Sequence, residues 1–500
     1  MRLLLIAAAL LACNAHAWAA GTLRWGLDAD LDTFDPARSG SYVERIVNSA
    51  MCDQLMEIDD KLNVVPELAT AWEWSTDQLS LLLHLRPNVV FQDGTKFDAL
   101  VVRDNLLRYA NADYSARKGE LTPIVSVEPI NPLLVLIRLK RPYAPLLTLL
   151  ANRAGVMLSP KSLAQKPEEI AAHPVCAGPF SLVERVPQDH ITLQRFPGYW
   201  NAAAVSLDRI EFKIIPDSSI RRVNLQSGQL DVVARLAATD VPIVQGDKKL
   251  QLAQSPSLGF EMLSFNLNNG PASETPFAAD KRIRQAFAKS LDLDQINKIV
   301  FDGRFVPDVQ TEARGTRYYD PAYPVPRRDL SGARQLLADE DEPHPKLRLS
   351  VVNNPVDVQV GEVIQSMAAE AGFEVTLDKG EAVSLTQAAG RGEYQAYAVI
   401  WSGRPDPDGN ISIWMRCAAP LNWTGWCDPA VDAGLAQATG TLKPEERMQL
   451  YHQVNDIWMD ELPYLPLYHF TWLWGLSAKV TGFTPRPDGV VRPIGLGLKP

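Results

Sequence analysis

Predicted strands and predicted helices alternate along both halves of this chain. In the first half, strands at residues 22–27, 79–85, 135–139, 207–215 and 230–233 alternate with helices within 42–58 and at 98–110 and 218–227. In the second half, strands at 258–268, 347–352, 375–377, 398–400 and 465–468 alternate with helices that begin near 280, 292, 358 and 444. Strands that alternate with helices predict an α/β architecture, here with two sheets.

The length and the charge narrow the class of protein further. A chain of 500 residues predicts at least two lobes, because single cores stop growing at about 250–300 residues. The formal net charge is −10, and the sequence contains no run of lysine or arginine. Nucleic-acid-binding proteins carry clustered basic residues, so we expect no nucleic acid as a partner.

The N-terminus has the pattern of an export signal. Arg2 is followed by an apolar stretch over residues 3–12, and small residues at 15–19 fit the A-x-A pattern that precedes signal-peptidase cleavage. We therefore predict a signal peptide over residues 1–20, cut near Ala19 or Ala20, and a periplasmic protein. One alternative is a lipoprotein with lipid on Cys13, and another is a buried first helix. The apolar stretch is too short to span a bilayer, which takes about 20 residues.

The cysteine content fits an exported protein. Loss or lipidation of Cys13 leaves four cysteines, at 52, 176, 417 and 427. An even number in an exported chain predicts disulfides. Cys417 and Cys427 close a short loop and are paired locally, which leaves Cys52 for Cys176. The alternative is four reduced, buried thiols; a metal site is less favoured, because there is no C-x-x-C and no histidine close to the 417/427 loop.

The sequence lacks the common motifs of catalysis. It contains no G-x-x-x-x-G-K-[ST], no H-E-x-x-H and no G-x-S-x-G, and its seven histidines are scattered. Residues 406–410 resemble the start of a calcium loop, but the glutamate that such a loop needs would fall on Cys417. We therefore expect no enzyme and no cofactor, and keep a secreted hydrolase as the alternative outside the binding proteins.

Between Cys176 and Trp200 the chain carries a turn, two short strands and an aromatic end, which is a scaffold rather than a catalytic site. Several segments of the chain, this run among them, resemble segments of the extracellular solute-binding proteins (family 5) of peptide and nickel ABC importers. They occur in the same order along the sequence. The matching segments are 65–69 (VPELA), 85–94 (LRPNVVFQDG), 177–180 (AGPF), 199–200 (YW), 225–231 (LQSGQLD), 282–286 (RIRQA) and 463–467 (PYLPL). The likeness runs from about residue 22 to beyond 470.

The resemblance implies two α/β lobes that close on a ligand by bending at a hinge. The N-terminal lobe would cover 21–265, with an inserted subdomain at about 60–175. The C-terminal lobe would cover 266–476, and 477–500 would return to the N-terminal lobe. Hinge crossings would fall near 265–267 and 474–479. The partners implied are a small peptide or peptide-like ligand and the permease subunits of an ABC transporter, with the binding protein a monomer.

The resemblance also implies where a ligand would bind. Trp401 would offer an apolar wall, although a core tryptophan is an equal alternative. Arg404 occupies the place where peptide binders of the family hold an aspartate for the ligand's amino group. Either Asp406 or Asp408 then takes that role, or the ligand presents an anion to Arg404.

Arg153 falls where some members of the family hold a ligand carboxylate, and a guanidinium suits that role because it forms two parallel hydrogen bonds. An ion pair on the surface or between the lobes is the alternative. Weaker candidates are Arg416, Trp423, Trp426, Tyr42 and Trp25. The predicted function is capture of peptides or peptide-like molecules for import, with a nickel chelate or another anionic solute as the alternative ligand.

Overall fold

The computed structural model describes residues 21–340 and 342–499. The predicted signal peptide and Cys13 lie outside the described residues. Two long antiparallel strands, Leu250–Phe265 and Tyr464–Ser477, form the spine of the molecule. They belong to an 11-stranded sheet that runs through both lobes.

The other strands of this sheet flank the spine on both sides. On one side lie, from the spine outwards, Ala396–Trp401, Lys346–Val352 and Glu374–Gly380, with Val306–Pro307 paired to the spine strand Tyr464–Ser477. On the other side lie Val232–Val233, Thr22–Leu27, Arg209–Ile214, His190–Arg195 and Phe180–Val186.

Each half of the spine belongs to its own hydrophobic core. The core that we call the N-terminal lobe contains Leu23 and Trp25, and near the end of the chain Trp474, Val491 and Leu496. The core that we call the C-terminal lobe forms around the other ends of the same strands, which include Leu263, Phe265 and Leu467. The chain therefore crosses twice between the lobes along the spine, and its last residues pack on the N-terminal lobe.

Between the two cores the pairing of the spine strands is irregular, whereas the sequence predicted hinge crossings at 265–267 and 474–479. Pairing is regular from Leu250 to Pro256, is interrupted, and resumes at Phe260 opposite His469. Pro256 has no N–H to contribute to a ladder, which fits its place at this interruption. Phe265 and Trp474 are both fully surrounded by the core of a single lobe.

The inserted part of the N-terminal lobe has a sheet of its own. Its strands, in spatial order, are Ala69–Trp74, Ser80–Leu85, Leu134–Leu139 and Ile124–Asn131. A two-stranded ribbon of Met56–Ile58 and Val64–Pro66 lies beside it, and a second ribbon, Val480–Thr481 with Gly497–Leu498, lies near the C-terminus. The helix Ala99–Asn111 covers the four-stranded sheet with Val102, Leu106 and Tyr109.

The α-helices are divided between the two lobes. Those of the N-terminal lobe are Tyr42–Met51, Ala99–Asn111, Leu146–Leu150, Pro160–Leu163, Pro167–Ala172, Ser218–Gln226 and Val241–Gly246. Those of the C-terminal lobe are Pro276–Ala279, Lys281–Ser290, Leu293–Phe301, Leu330–Asp339, Pro355–Ala371, Ala382–Gly390, Asp408–Met415, Pro429–Gly440 and Pro444–Glu461. Short 3-10 turns cover Arg153–Gly155, Ala202–Ala204, Ala238–Asp240 and Pro271–Ser273. Among these described helices, none combines the length and apolar character needed to cross a bilayer.

Cysteines 52, 176, 417 and 427 are all disulfide-bonded, with the pairing that was predicted from the sequence. Cys52, directly after the helix Tyr42–Met51, is bonded to Cys176, which precedes the strand Phe180–Val186. Cys417 and Cys427 close a loop between two helices of the C-terminal lobe.

A carboxyl pair next to the first disulfide couples the stability of the N-terminal lobe to pH. Asp53 is buried and accepts a hydrogen bond from the indole N–H of Trp200 at 2.6 Å, and Glu67 lines the same cavity. Burial raises the pKa of both carboxyls, and the charge of Asp53 raises the pKa of Glu67 further. Two carboxyl groups in contact share a proton, because both cannot be charged without repulsion.

We expect Glu67→Gln to weaken the pH dependence of stability. Both carboxyls titrate near 4 in an unfolded chain, so the folded protein holds the shared proton more tightly than the unfolded chain does. The free energy of unfolding should therefore fall as the pH rises from about 4 through neutrality, by on the order of 1 kcal/mol from this pair. Melting temperatures at pH 5 and pH 8 check this, with Glu445→Gln on an exposed helix position as control. If the melting temperatures at pH 5 and pH 8 differ by the same amount in Glu67→Gln as in the unmodified protein, the prediction is wrong.

Candidate ligand-binding cleft

The carboxyl ends of parallel strands from both lobes meet at the cleft. In the C-terminal lobe the neighbouring strands Lys346–Val352 and Ala396–Trp401 are parallel, so the loops that follow them share one edge. In the N-terminal lobe Asp28 and Arg235 follow the parallel strands Thr22–Leu27 and Val232–Val233 in the same way. Loops at the carboxyl ends of strands are the usual position of ligand sites in open α/β sheets.

The two lobes are in contact on both sides of this cleft. The Ala144 N–H, from the inserted subdomain, donates a hydrogen bond of 2.9 Å to the Thr439 carbonyl of the C-terminal lobe. At the crossing, the Leu258 N–H donates to the Pro487 carbonyl at 3.1 Å. The structure therefore has the lobes together rather than apart.

Arg404 lies in the loop after Trp401, and its positive charge is not neutralised. The guanidinium stacks over the Trp401 ring at 4.4 Å and donates to the Ser402 hydroxyl and the Gly403 carbonyl at 2.9 and 2.7 Å. Among the described residues, no carboxylate lies within 4 Å of it. Burial lowers the pKa of Arg404, and the nearby positive charges of Arg45 and Arg153 lower it further.

Gly403 fixes the position of this loop. Its φ of +75° lies in the left-handed region, where a side chain is strained. A Cβ atom there would lie 2.3 Å from the backbone carbon of Leu258, at the crossing between the lobes. The loop that carries Arg404 is therefore packed directly against the segment that joins the lobes.

Arg45 and Arg153 line one cavity of the N-terminal lobe, and their charges lower the pKa of Arg404. Arg153 is buried, and its Nε donates to Glu44 at 2.7 Å, so its charge is already compensated. Arg45 is also buried, but its nearest carboxylate, Asp488, is 3.7 Å away and also binds Arg492 at 3.0 Å. Among the described residues the Nη1 of Arg45 has no partner. We call Arg45, Arg153 and Arg404 the arginine centre.

Asp406 and Asp408 are engaged within the C-terminal lobe. Asp406 is buried and accepts two hydrogen bonds, of 2.7 and 2.6 Å, from the guanidinium of Arg447. Asp408 accepts from the Ser412 hydroxyl at 2.5 Å and from the Thr439 hydroxyl at 2.9 Å. Both carboxylates thus hold the Arg404 loop and the helices behind it in place.

The weaker candidates are divided between core and cleft. Trp25 is a core residue of the N-terminal lobe, and Trp423 packs edge-on against Trp414 at 5.5 Å. Arg416 donates to the Thr439 hydroxyl at 2.8 Å, and Trp426 lies within the loop closed by Cys417 and Cys427. Tyr42 stacks on Trp472 with ring centroids 5.0 Å apart.

The sequence interpretation missed Arg45. Arg45 and Glu44 are both buried on the helix Tyr42–Met51, and two neighbouring charged residues in a largely apolar helix were the available signal.

Comparison with known proteins decides the family. The family model for bacterial extracellular solute-binding proteins, family 5, middle, matches residues 63–421. The chain belongs to this family. The glutathione-binding protein GsiB of Pectobacterium atrosepticum is 27% identical over 485 residues, covering 94% of this chain and 93% of that protein.

Solved structures of similar fold cover nearly the whole chain. The periplasmic binding protein DppA of Helicobacter pylori, in complex with the peptide STSA, matches with a TM-score of 0.84 and 23% identity, covering 97% of this chain and 99% of that one. The dipeptide-binding protein of a Pseudoalteromonas species, in complex with Met-Leu, matches with a TM-score of 0.85 and 21% identity, covering 96% and 100%. The predicted two-lobed α/β periplasmic-binding fold is thus confirmed, and the family is one of solute-binding proteins.

Proposed function

We propose that this protein captures an anionic, peptide-like solute in the periplasm and delivers it to an ABC importer. The observation that carries the proposal is the arginine centre, where no carboxylate of the described residues lies within 4 Å of Arg404 and Arg45 has only a distant, shared one. Buried charges are costly unless they are compensated. A ligand carboxylate in the cleft would supply the missing negative charge.

Glutathione and related γ-glutamyl peptides are the solutes that fit best. Such a peptide carries two carboxylates and one ammonium group, so it brings a net negative charge to the cleft at neutral pH. GsiB proteins, named for glutathione binding, align with more than nine-tenths of this chain. A neutral dipeptide carries a single carboxylate and would compensate the arginine centre less well.

Closure of the lobes would couple binding to delivery. Trp401 and Arg404 lie on the C-terminal lobe, whereas Arg45 and Arg153 lie on the N-terminal lobe, so a ligand that contacts both stabilises only the closed form. The closed form would then dock on the permease as a monomer. We place the bend at 257–259 and 470, where the pairing of the spine strands is interrupted. We keep the lobe boundaries predicted above as a proposal, with the N-terminal lobe at 21–265 and 477–500 and the C-terminal lobe at 266–476. Only the position of the hinge changes, to 257–259 and 470.

Binding measurements on the purified mature protein test the proposal. We expect reduced and oxidised glutathione to raise the melting temperature and to bind more tightly than a neutral dipeptide or nickel with histidine. Solution scattering should show a more compact protein with the ligand than without it. Tighter binding of neutral dipeptides than of glutathione would contradict the anionic ligand. Conversion of a solute into a product without compaction would indicate the hydrolase instead.

A further inference from the structure

We infer that the C-terminal lobe carries a second binding site, which takes a small molecule with an apolar body and one ammonium group. The site is a cavity of about 440 Å³ between the helices Lys281–Ser290 and Pro444–Glu461 and the segment 309–326. The described residues that line it all belong to the C-terminal lobe, and neither Trp401 nor Arg404 is among them. Cavities that bind small molecules commonly measure about 300–1,000 Å³, so the volume suits such a ligand.

The floor of this cavity is apolar. Leu291, Leu293, Val309 and Leu465 line it, and each of these side chains is at least nine-tenths buried. Met459 forms part of the wall, and a flexible thioether side chain adapts to ligands of different shape. An apolar molecule that enters removes both its own surface and that of the floor from water, which is favourable in proportion to the area covered. The floor therefore favours an apolar body.

The segment 309–326 holds one wall of the cavity in a fixed position. All of this segment belongs to the described residues, and it contains no helix or strand. The side chain of buried Gln310 donates hydrogen bonds to the carbonyls of Asp320 and Tyr323, at 2.7 and 3.0 Å, and accepts one from the Asp320 N–H at 2.9 Å. Long loops without secondary structure are uncommon and usually functional. Because the wall is already ordered, a ligand does not have to order it on binding.

The mouth of the cavity carries negative charge. Asp456 and Asp460 both line the cavity, are exposed, and lie one turn apart on the helix Pro444–Glu461. Asp460 is paired with Lys281 at 2.5 Å, so its charge is largely compensated. Asp456 accepts a hydrogen bond of 2.6 Å from the Tyr323 hydroxyl, and in the described part of the chain no cation lies within 4 Å of it.

The charge at the mouth selects the ligand, and the apolar floor holds it. An exposed carboxylate needs no partner in water, but above an apolar cavity it favours a cation over a neutral molecule or an anion. An ammonium group beside Asp456 would leave the apolar body of the same molecule over Leu291 and Leu465. Peptides with a free carboxylate would be repelled at this mouth, so the cavity and the arginine centre select different ligands.

Calorimetric titration of the mature protein with two matched probes tests the charge preference. The probes are phenylbutylamine and phenylbutanol, which share an apolar body and differ in charge. At millimolar concentrations we expect the amine to bind the unmodified protein about 5-fold more tightly than the alcohol, the effect of one exposed ion pair. In Asp456→Asn the two probes should bind within about 2-fold of each other. Asp339→Asn, at an exposed helix position of the same lobe, should behave as the unmodified protein does.

A variant with a filled cavity tests the location of the site. Ala288 lines the cavity from the helix Lys281–Ser290, and a leucine at this position would occupy part of its volume. We expect Ala288→Leu to weaken the binding of both probes by at least 10-fold, because both use the apolar floor. The melting temperature of the free variant shows whether it is folded.

Each remaining outcome contradicts the inference. It is wrong if neither probe binds the unmodified protein, or if the alcohol binds as tightly as the amine. It is also wrong if Asp456→Asn keeps the full preference for the amine, or if folded Ala288→Leu binds both probes as the unmodified protein does. The comparison between the unmodified protein and Asp456→Asn does not depend on whether Ala288→Leu folds. None of these outcomes affects the proposed anionic ligand of the cleft.

Discussion

Substitution of Arg404 by glutamine is expected to lower the affinity for an anionic ligand by about 100-fold without destabilising the free protein. The loss corresponds to about 2.7 kcal/mol, within the range for removing one partner of a desolvated charge pair. The free protein should unfold at the same temperature as the unmodified one or higher. Within residues 21–340 and 342–499 no carboxylate lies within 4 Å of Arg404, so no ion pair is lost, and its removal relieves repulsion from Arg45 and Arg153.

The two opposed effects distinguish a binding residue from a structural one. A structural arginine would lower both the melting temperature and the affinity when it is removed. Arg391→Gln provides a matched control, because Arg391 is exposed and pairs with Glu393 at 2.7 Å on the surface. Exposed pairs of this kind contribute at most about 1 kcal/mol. Unchanged affinity in Arg404→Gln would exclude the arginine centre as the ligand site.

Removal of the disulfide between Cys52 and Cys176 is expected to cost about 5 kcal/mol of folding free energy, the largest effect on stability that we predict. The bond joins residues 124 positions apart, so it removes much conformational entropy from the unfolded chain. Cys417 and Cys427 are 10 positions apart, and the same model gives about 3 kcal/mol for their bond. Urea unfolding of the two double serine variants checks the difference.

Cys52 and Cys176 are buried, whereas Cys417 is half-buried and Cys427 is exposed, so the substitution itself does not have the same effect in the two variants. Comparison of each variant with the reduced, unmodified protein separates the loss of the bond from the effect of the serine side chains. Equal destabilisation of the two variants would contradict the loop-length explanation. A variant without the Cys52–Cys176 bond should also unfold at a lower temperature than the unmodified protein under oxidising conditions.

Elements with a regular side-chain period could be predicted from the sequence. The helix predicted at 444–460 is observed as Pro444–Glu461, because Tyr451, Val454 and Trp458 recur at helical spacing. The opening strand at 22–27 is observed as Thr22–Leu27, and its side chains pack in the N-terminal core. In both cases a window of about ten residues was enough to predict the element.

The spine strands could not be predicted at their full length. The first was predicted at 258–268 and runs from Leu250 to Phe265, and the second was predicted at 465–468 and runs from Tyr464 to Ser477. Pro256 and Gly259 interrupt the local signal of the first strand. The second is buried on both faces along most of its length, so it shows no alternation. Each segment forms a strand because it pairs with residues 200 or more positions away along the chain.

The sequence by itself determined the α/β class, the export-type cysteine content, the order of the family's motifs and the loop that carries Trp401 and Arg404. The tertiary structure alone decided which charges remain for a ligand. Asp406 is neutralised by Arg447 and Arg153 by Glu44, whereas no carboxylate in the described part of the chain lies within 4 Å of Arg404. Compensation of a charge depends on distances of a few ångströms between residues that are far apart along the chain, and only the folded chain sets those distances.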